Sequence, residues 1–294
     1  NLVGRPEHRH RQGPARARNF YRRSPKAAPS DRSPRPACTP AFFAFIAFVV
    51  QPCLRVHRVP CFTMKFPMKS GRYHYGPHPQ QFGDLRLPHG PGPYRFVITI
   101  HGGFWRAKYG LDHIGPAAEA MTAAGFATWN IEYRRIGNGG GWPLTFEDVV
   151  QAAKWLSEPA IAVGHSAGGH MALLLAHHGL VTGAASLAGV ADLRRARELN
   201  LSNGAVAEFM AEHSDSEASP MELPPACVPV RVIHGLNDDI VPHEISTAYT
   251  AAARQAGADV ELISLAHTGH LELVDPHSTQ WPEVIRQITA LALA

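Results

Sequence analysis

Several short stretches of the sequence carry residue types suited to nucleophilic attack on a carbonyl. Ser166 stands in Gly164-His165-Ser166-Ala167-Gly168, a Gly-x-Ser-x-Gly pattern. A serine hydroxyl is a weak nucleophile and needs a base to take its proton. Downstream, "VRVIHGLNDDIVPHE" offers Asp238 and Asp239, and "VELISLAHTGHLELVDP" offers His267 and His270. Serine, then an acid, then histidine is one of the chain orders in which such triads are built. A fourth part is "ITIHGGFW", Ile98 to Trp105. Its glycines let backbone amides approach a developing oxyanion, where one donor contributes about 2.7–4 kcal/mol in the transition state. The serine pattern alone arises by chance in roughly one chain in ten. Its meaning therefore rests on the elements around it, and the residues alone leave both the acid and the histidine open.

From Tyr94 onward, short apolar runs alternate with helix-like stretches. The runs are 94–100, 126–133, 160–164, 183–189, 229–235 and 260–265, and the helices are roughly 113–124, 145–157, 167–178, 243–256 and 279–293. Runs apolar on both faces and separated by helices predict an α/β fold, a mostly parallel sheet covered by helices on both sides. In 145–157, Thr145 is positioned to cap, with Asp148 three residues on and Val149, Val150, Ala153 and Leu156 at helical spacing. Ser166 then sits between a strand and a helix, in a tight turn where flanking side chains clash. Both acids and both histidines fall just past strand ends, where such sheets place ligands. The polar, Pro-containing stretch 191–226 reads either as a small lid or as a plain connection.

At these residues the chain resembles α/β-hydrolase serine esterases, in particular the arylformamidase (kynurenine formamidase-like) branch. The resemblance is carried by "HGGFW", "NIEYRRIGNGGGWPLTFEDV", "GHSAGGHMALLLA", "SLAGVADL", "HGLNDDIVP" and "GHLELVDP", and covers roughly 70–294. It implies the α/β-hydrolase fold with a small lid or none, a Ser-Asp-His triad, and hydrolysis of a small ester or an aryl formamide without cofactor or metal. It places the acid at Asp238, with Asp239 a neighbour, and the base at His270, with His267 at the rim. It puts the oxyanion amides at Gly103, Phe104 and Ala167. Phe104 stands where other esterases of this type carry a third glycine.

The other features have blander readings. Trp105 and Trp142 read equally as core or pocket wall, Glu132 to Arg135 as a Glu-Arg pair steadying a loop, and His177-His178 as an exposed helix end. Gly137 to Trp142 lacks the Lys-Ser/Thr ending of a phosphate loop. His165 and His170 do not make a zinc site. Cys227 reads as a buried thiol.

Charge divides the chain. Residues 1–63 carry ten net positive charges and 64–294 six net negative ones. The body offers no basic face for nucleic acid. Residues 1–63, rich in Arg and Pro, are expected to be disordered or a non-native extension preceding Met64 or Met68, with 64–294 the catalytic domain. The apolar run 41–50 is short for a membrane anchor. A cytoplasmic enzyme, or an exported one if residues 1–63 belong to the protein, acting on a small-molecule ester or amide with no membrane or nucleic-acid partner, is the expected reading. A non-catalytic relative binding a small molecule is the alternative.

Overall fold

The computed structural model describes residues 68–293. The expectations for residues 1–63 lie outside the described residues.

Eight strands form one sheet: β1 (Gly71–His74), β2 (Phe82–Arg86), β3 (Arg95–Ile100), β4 (Phe126–Ile131), β5 (Ala160–His165), β6 (Gly183–Leu187), β7 (Val230–Gly235) and β8 (Val260–Leu265). Their order is β1-β2-β4-β3-β5-β6-β7-β8. β1 and β2 pair antiparallel at one edge, and β2 is antiparallel to β4. The strands from β4 to β8 pair in parallel. β4, β5 and β6 are buried at every position, as a sheet covered on both faces requires.

Among the described residues seven α-helices accompany them: α1 (Gly115–Ala123), α2 (Leu144–Leu156), α3 (Ala167–His177), α4 (Leu193–Glu198), α5 (Ala205–Met210), α6 (His243–Gln255) and α7 (Trp281–Leu293). Alternate residues of the strands feed two cores. Val97, Ile161 and Val163 pack with Ala117 and Met121 of α1 and Val284 and Ile288 of α7. Ile98, Ile100 and Ala162 pack on the other side with Val149 of α2, Leu173 of α3 and Ile245 of α6. α7 is amphipathic, burying Val284, Ile288 and Leu291 at helical spacing. The middle of α3 is buried all round, because the helix lies between the sheet and the layer above it.

Local chemistry differs from expectation at several residues. Thr145 does not cap α2; it lies inside the helix, where its hydroxyl donates to the Arg134 carbonyl (2.7 Å) and accepts from the Gly141 amide (3.0 Å). Asp148 instead receives the Arg134 guanidinium at 2.6 Å and the Gln81 amide at 2.6 Å. His177 is not a free helix end, since its ring meets the Pro224 carbonyl and the Tyr249 hydroxyl. Cys227 is exposed rather than buried, on the Pro-rich approach to β7. Trp105 and Trp142 both belong to the core. Among the described residues no helix is long and apolar enough to cross a membrane.

Candidate active site

β5 runs into Ser166, which has φ 55° and ψ −118°, and α3 begins at the next residue. A non-glycine residue held there is strained, and such strain concentrates at functional turns. The turn is locked by a bond from the Ser166 amide to the Leu187 carbonyl (2.8 Å). The flanking glycines are steric necessities. A Cβ on Gly164 would lie 2.0 Å from the Gly168 carbonyl oxygen, and one on Gly168 would lie 2.0 Å from that of Ile100.

Asp238 sits in the turn after β7, its side chain fully buried. Oδ1 accepts from the amides of Ile240 and Val241, both at 2.9 Å. Oδ2 accepts from His270 Nδ1 at 2.6 Å and from His234 Nε2 at 3.1 Å. Burial pushes this carboxyl up, but the bonds from His234 and His270, with the His270 field, outweigh it and hold Asp238 well below the usual carboxylate range. Asp239 points elsewhere: it is exposed and lines the cavity mouth.

His270 lies in the loop after β8. It shares a cavity of about 560 Å³ with Ser166, Gly103 and Phe104. His267, at φ 54°, is exposed and lines a neighbouring cleft rather than this cavity.

The loop after β3 is built from a left-handed run, Gly103 (φ 106°), Phe104 (φ 48°) and Trp105 (φ 56°). Its root is clamped. His101 Nε2 faces Glu132 Oε1 at 2.9 Å, and Nδ1 faces the Gly102 carbonyl at 2.8 Å. Tyr133 donates to the His101 carbonyl at 2.6 Å. Arg135 meets Glu132 at 2.6 Å, so the Glu-Arg pair does steady this region. A Cβ on Gly102 would fall 2.9 Å from the His165 carbonyl oxygen, which is how closely this loop approaches the serine turn. Ala167 is buried at the first turn of α3, where amides have no intrahelical partner.

The stretch 191–226 covers the cavity. The connection between α4 and α5 contributes Leu199, Asn200, Leu201 and Ser202 to its wall. It is tied to the loop after β3. Phe209 of α5 stacks on Trp105 with ring centroids 4.4 Å apart. Arg106 reaches Glu208 at 2.7 Å and Ser202 at 3.0 Å. The segment is thus a small cap rather than a plain connection.

Three histidines beside the site carried no sequence signal of their own. His234 precedes Asp238 by one turn, and only its place in the acid-loop motif hinted at a role. His165 Nε2 meets the His270 carbonyl at 2.9 Å, and His113 Nε2 meets His165 Nδ1 at 2.8 Å. Burial, then neighbouring histidines, lower His165 well below the imidazole range and His113 to about 4. Among the described residues no cluster of His, Cys, Asp or Glu could hold a metal ion.

This strand order, with a serine turn after β5 and helices on both faces, defines the α/β-hydrolase fold. A family model described as BD-FAE matches residues 84–188. Among solved structures, the chain is similar to the propionate-bound esterase Est2 of Thermogutta terrifontis, with a TM-score of 0.65 at 17% identity, covering 76% of this chain and 93% of that one. Esterase B of Lactobacillus rhamnosis gives a TM-score of 0.67 at 19% identity, covering 76% and 85%. A truncated carbohydrate esterase from gut microbiota gives 0.61 at 19%, covering 76% and 97%. No curated protein sequence matches the chain.

Proposed function

We propose that the protein is a serine hydrolase that cleaves small carboxylic esters through an acyl-enzyme, with Ser166 as nucleophile, His270 as base and Asp238 as its orienting acid. The observation that carries this reading is the 2.6 Å bond from His270 Nδ1 to Asp238 Oδ2, with His270 and Ser166 opening on one cavity. An imidazole whose Nδ1 proton is held by a carboxylate presents its other nitrogen as a base. His270 takes the Ser166 proton as Oγ attacks the carbonyl carbon, then gives it to the leaving alcohol. A water activated by the same ring releases the acid. The amides of Gly103, Phe104 and Ala167 receive the oxyanion of each tetrahedral intermediate. The esterases named above share this fold and support ester hydrolysis over a purely binding role.

Within that reading, Phe104 and Tyr109 on the cavity wall favour an aryl group, so an aryl formamide such as N-formylkynurenine is the second candidate substrate. The test is labelling by a fluorophosphonate probe together with turnover of p-nitrophenyl acetate. Ser166→Ala is expected to lose both while unfolding at the wild-type midpoint. Activity retained in that variant overturns the nucleophile assignment. The ratio of kcat/KM for N-formylkynurenine to that for short-chain esters decides between the two substrate classes.

A further inference from the structure

His113 stands on the cavity wall, outside the triad and the oxyanion loop. Its protonation pattern follows from a chain of bonds together with burial, which lowers its pKa to about 4 and leaves the ring neutral near pH 7. The carbonyl of His270 can only accept, so His165 Nε2, 2.9 Å away, carries a proton. His165 is fully buried, and burial keeps the ring neutral. Its Nδ1 is therefore a lone pair, and His113 Nε2, 2.8 Å away, must donate to it. A neutral His113 that spends its one proton on Nε2 carries a lone pair on Nδ1. That atom has no partner among the described residues and is not sealed from solvent.

The wall around it shares this cavity with Leu199, Leu201, Ile240 and Leu271. These side chains are apolar and offer nothing directional. Asn200, Ser202 and Asp239 also line the cavity, but the His113 acceptor is fixed by two successive bonds, and such an acceptor discriminates by hydrogen bonding. A substrate with a donor satisfies it, and an isosteric substrate without one leaves it unpaired.

We propose that His113 determines specificity by presenting Nδ1 as a hydrogen-bond acceptor to the substrate, selecting esters that carry a hydroxyl or N–H donor close to the scissile carbonyl. This rests on the ester-hydrolase reading of Ser166. The donor can sit on the acyl side or on the leaving group, and paired substrates separate the two. Ethyl lactate against ethyl isobutyrate reports the acyl side, and 2-hydroxyethyl acetate against propyl acetate reports the leaving-group side.

The readout is the kcat/KM ratio within each pair, in which any general loss of activity cancels. In the wild-type enzyme one pair is expected to favour the hydroxylated ester by roughly three- to tenfold, the worth of one neutral hydrogen bond. His113→Phe, which removes the acceptor, is expected to bring that ratio close to one. His113→Gln, which keeps one amide donor and one oxygen acceptor, is expected to restore part of it. Ratios near one for both pairs in the wild-type enzyme, or a preference unchanged in His113→Phe, overturn the proposal. Fluorophosphonate labelling runs alongside. A labelled wild-type enzyme without the preference refutes the role of His113 alone, and an unlabelled one refutes the hydrolase reading and this proposal with it.

Discussion

His234 Nε2 lies 3.1 Å from Asp238 Oδ2, the same oxygen that His270 Nδ1 meets at 2.6 Å. The His234 ring is itself fixed, since Nδ1 meets the Ser246 hydroxyl at 2.7 Å and Nε2 also reaches the Val241 carbonyl at 2.9 Å. Asp238 is thus aimed by a second imidazole as well as by backbone amides. A bond to a charged group contributes about 1.5–3 kcal/mol. His234→Leu is expected to lower kcat by roughly 10- to 100-fold. KM should hardly change, because His234 is fully buried and does not line the cavity. His234→Gln, whose amide can still donate, should recover much of kcat. Steady-state kinetics on p-nitrophenyl acetate separates this from a substrate-binding role, which would raise KM instead.

The serine turn should be intolerant of a single methyl group. A Cβ on Gly168 would meet the carbonyl oxygens of Ile100 and His101 at 2.0 and 2.5 Å, both backbone atoms that cannot step aside. Gly168→Ala is expected to cost at least about 3 kcal/mol. Gly179, at φ 63° with nothing within 4 Å, is the control. Gly179→Ala should cost only about 1–2 kcal/mol, from the left-handed backbone alone. Urea unfolding midpoints measure both, and equal losses would contradict the steric account.

Arg106 joins the cap to the loop that carries Gly103 and Phe104. Its partner Glu208 is half exposed, and such a pair contributes at most about 1 kcal/mol to stability. Its kinetic effect should be larger than its stability effect. Arg106→Ala is expected to shift the melting temperature by only a few degrees while lowering kcat several-fold, as the left-handed loop loses a support. A variant that melts far lower, or one with unaltered kcat, is the contrary result.

Acid should destabilise the fold through a histidine remote from substrate. His170 is fully buried with Nε2 on the Ala218 carbonyl at 2.7 Å, and burial lowers its pKa from 6.5 to about 4. Between those values the unfolded chain holds a proton that the folded one refuses. Stability is therefore fully present above pH 6.5 and falls as pH drops toward 4. The loss from this group reaches about 3 kcal/mol. Denaturant unfolding from pH 7 to pH 4.5 should show this slope, and His170→Gln should reduce it, with buried histidines such as His113 and His165 contributing to the remainder. Parallel curves for the two proteins would assign the acid sensitivity elsewhere.

The parts legible in the sequence are those with a local signature. The six apolar runs from residue 94 onward correspond to β3–β8; those of β4, β5 and β6 are mostly apolar because these strands are buried on both faces, whereas the edge strand β8 is half exposed and its run carries Glu261 and Ser264. β1 and β2 carry no such signature, for the opposite reason. "GRYH" and "FGDLR" are short and only partly buried, and antiparallel edge strands need no apolar run. Ser166 was marked by the glycines that sterics demand. Choosing Asp238 over Asp239 from spacing alone was not feasible, since adjacent residues differ only in which way the turn aims them. His113 lies 53 residues before Ser166, in neither motif nor repeat, and Thr145 does not cap because tertiary bonds to Arg134 and Gly141 claim its hydroxyl.

Trp105 and Phe209 lie face to face and neither is exposed. The covering of the cavity is therefore also the footing of the loop beneath it. Swinging it aside at each cycle would unstack that pair and release the left-handed residues it braces. The chamber already opens to solvent where exposed Asp239 and Ile240 line it, so ligands can pass with this pair intact. On the proposed ester-hydrolase reading, no waiting time for opening enters the cycle, and solvent viscosity should leave kcat untouched.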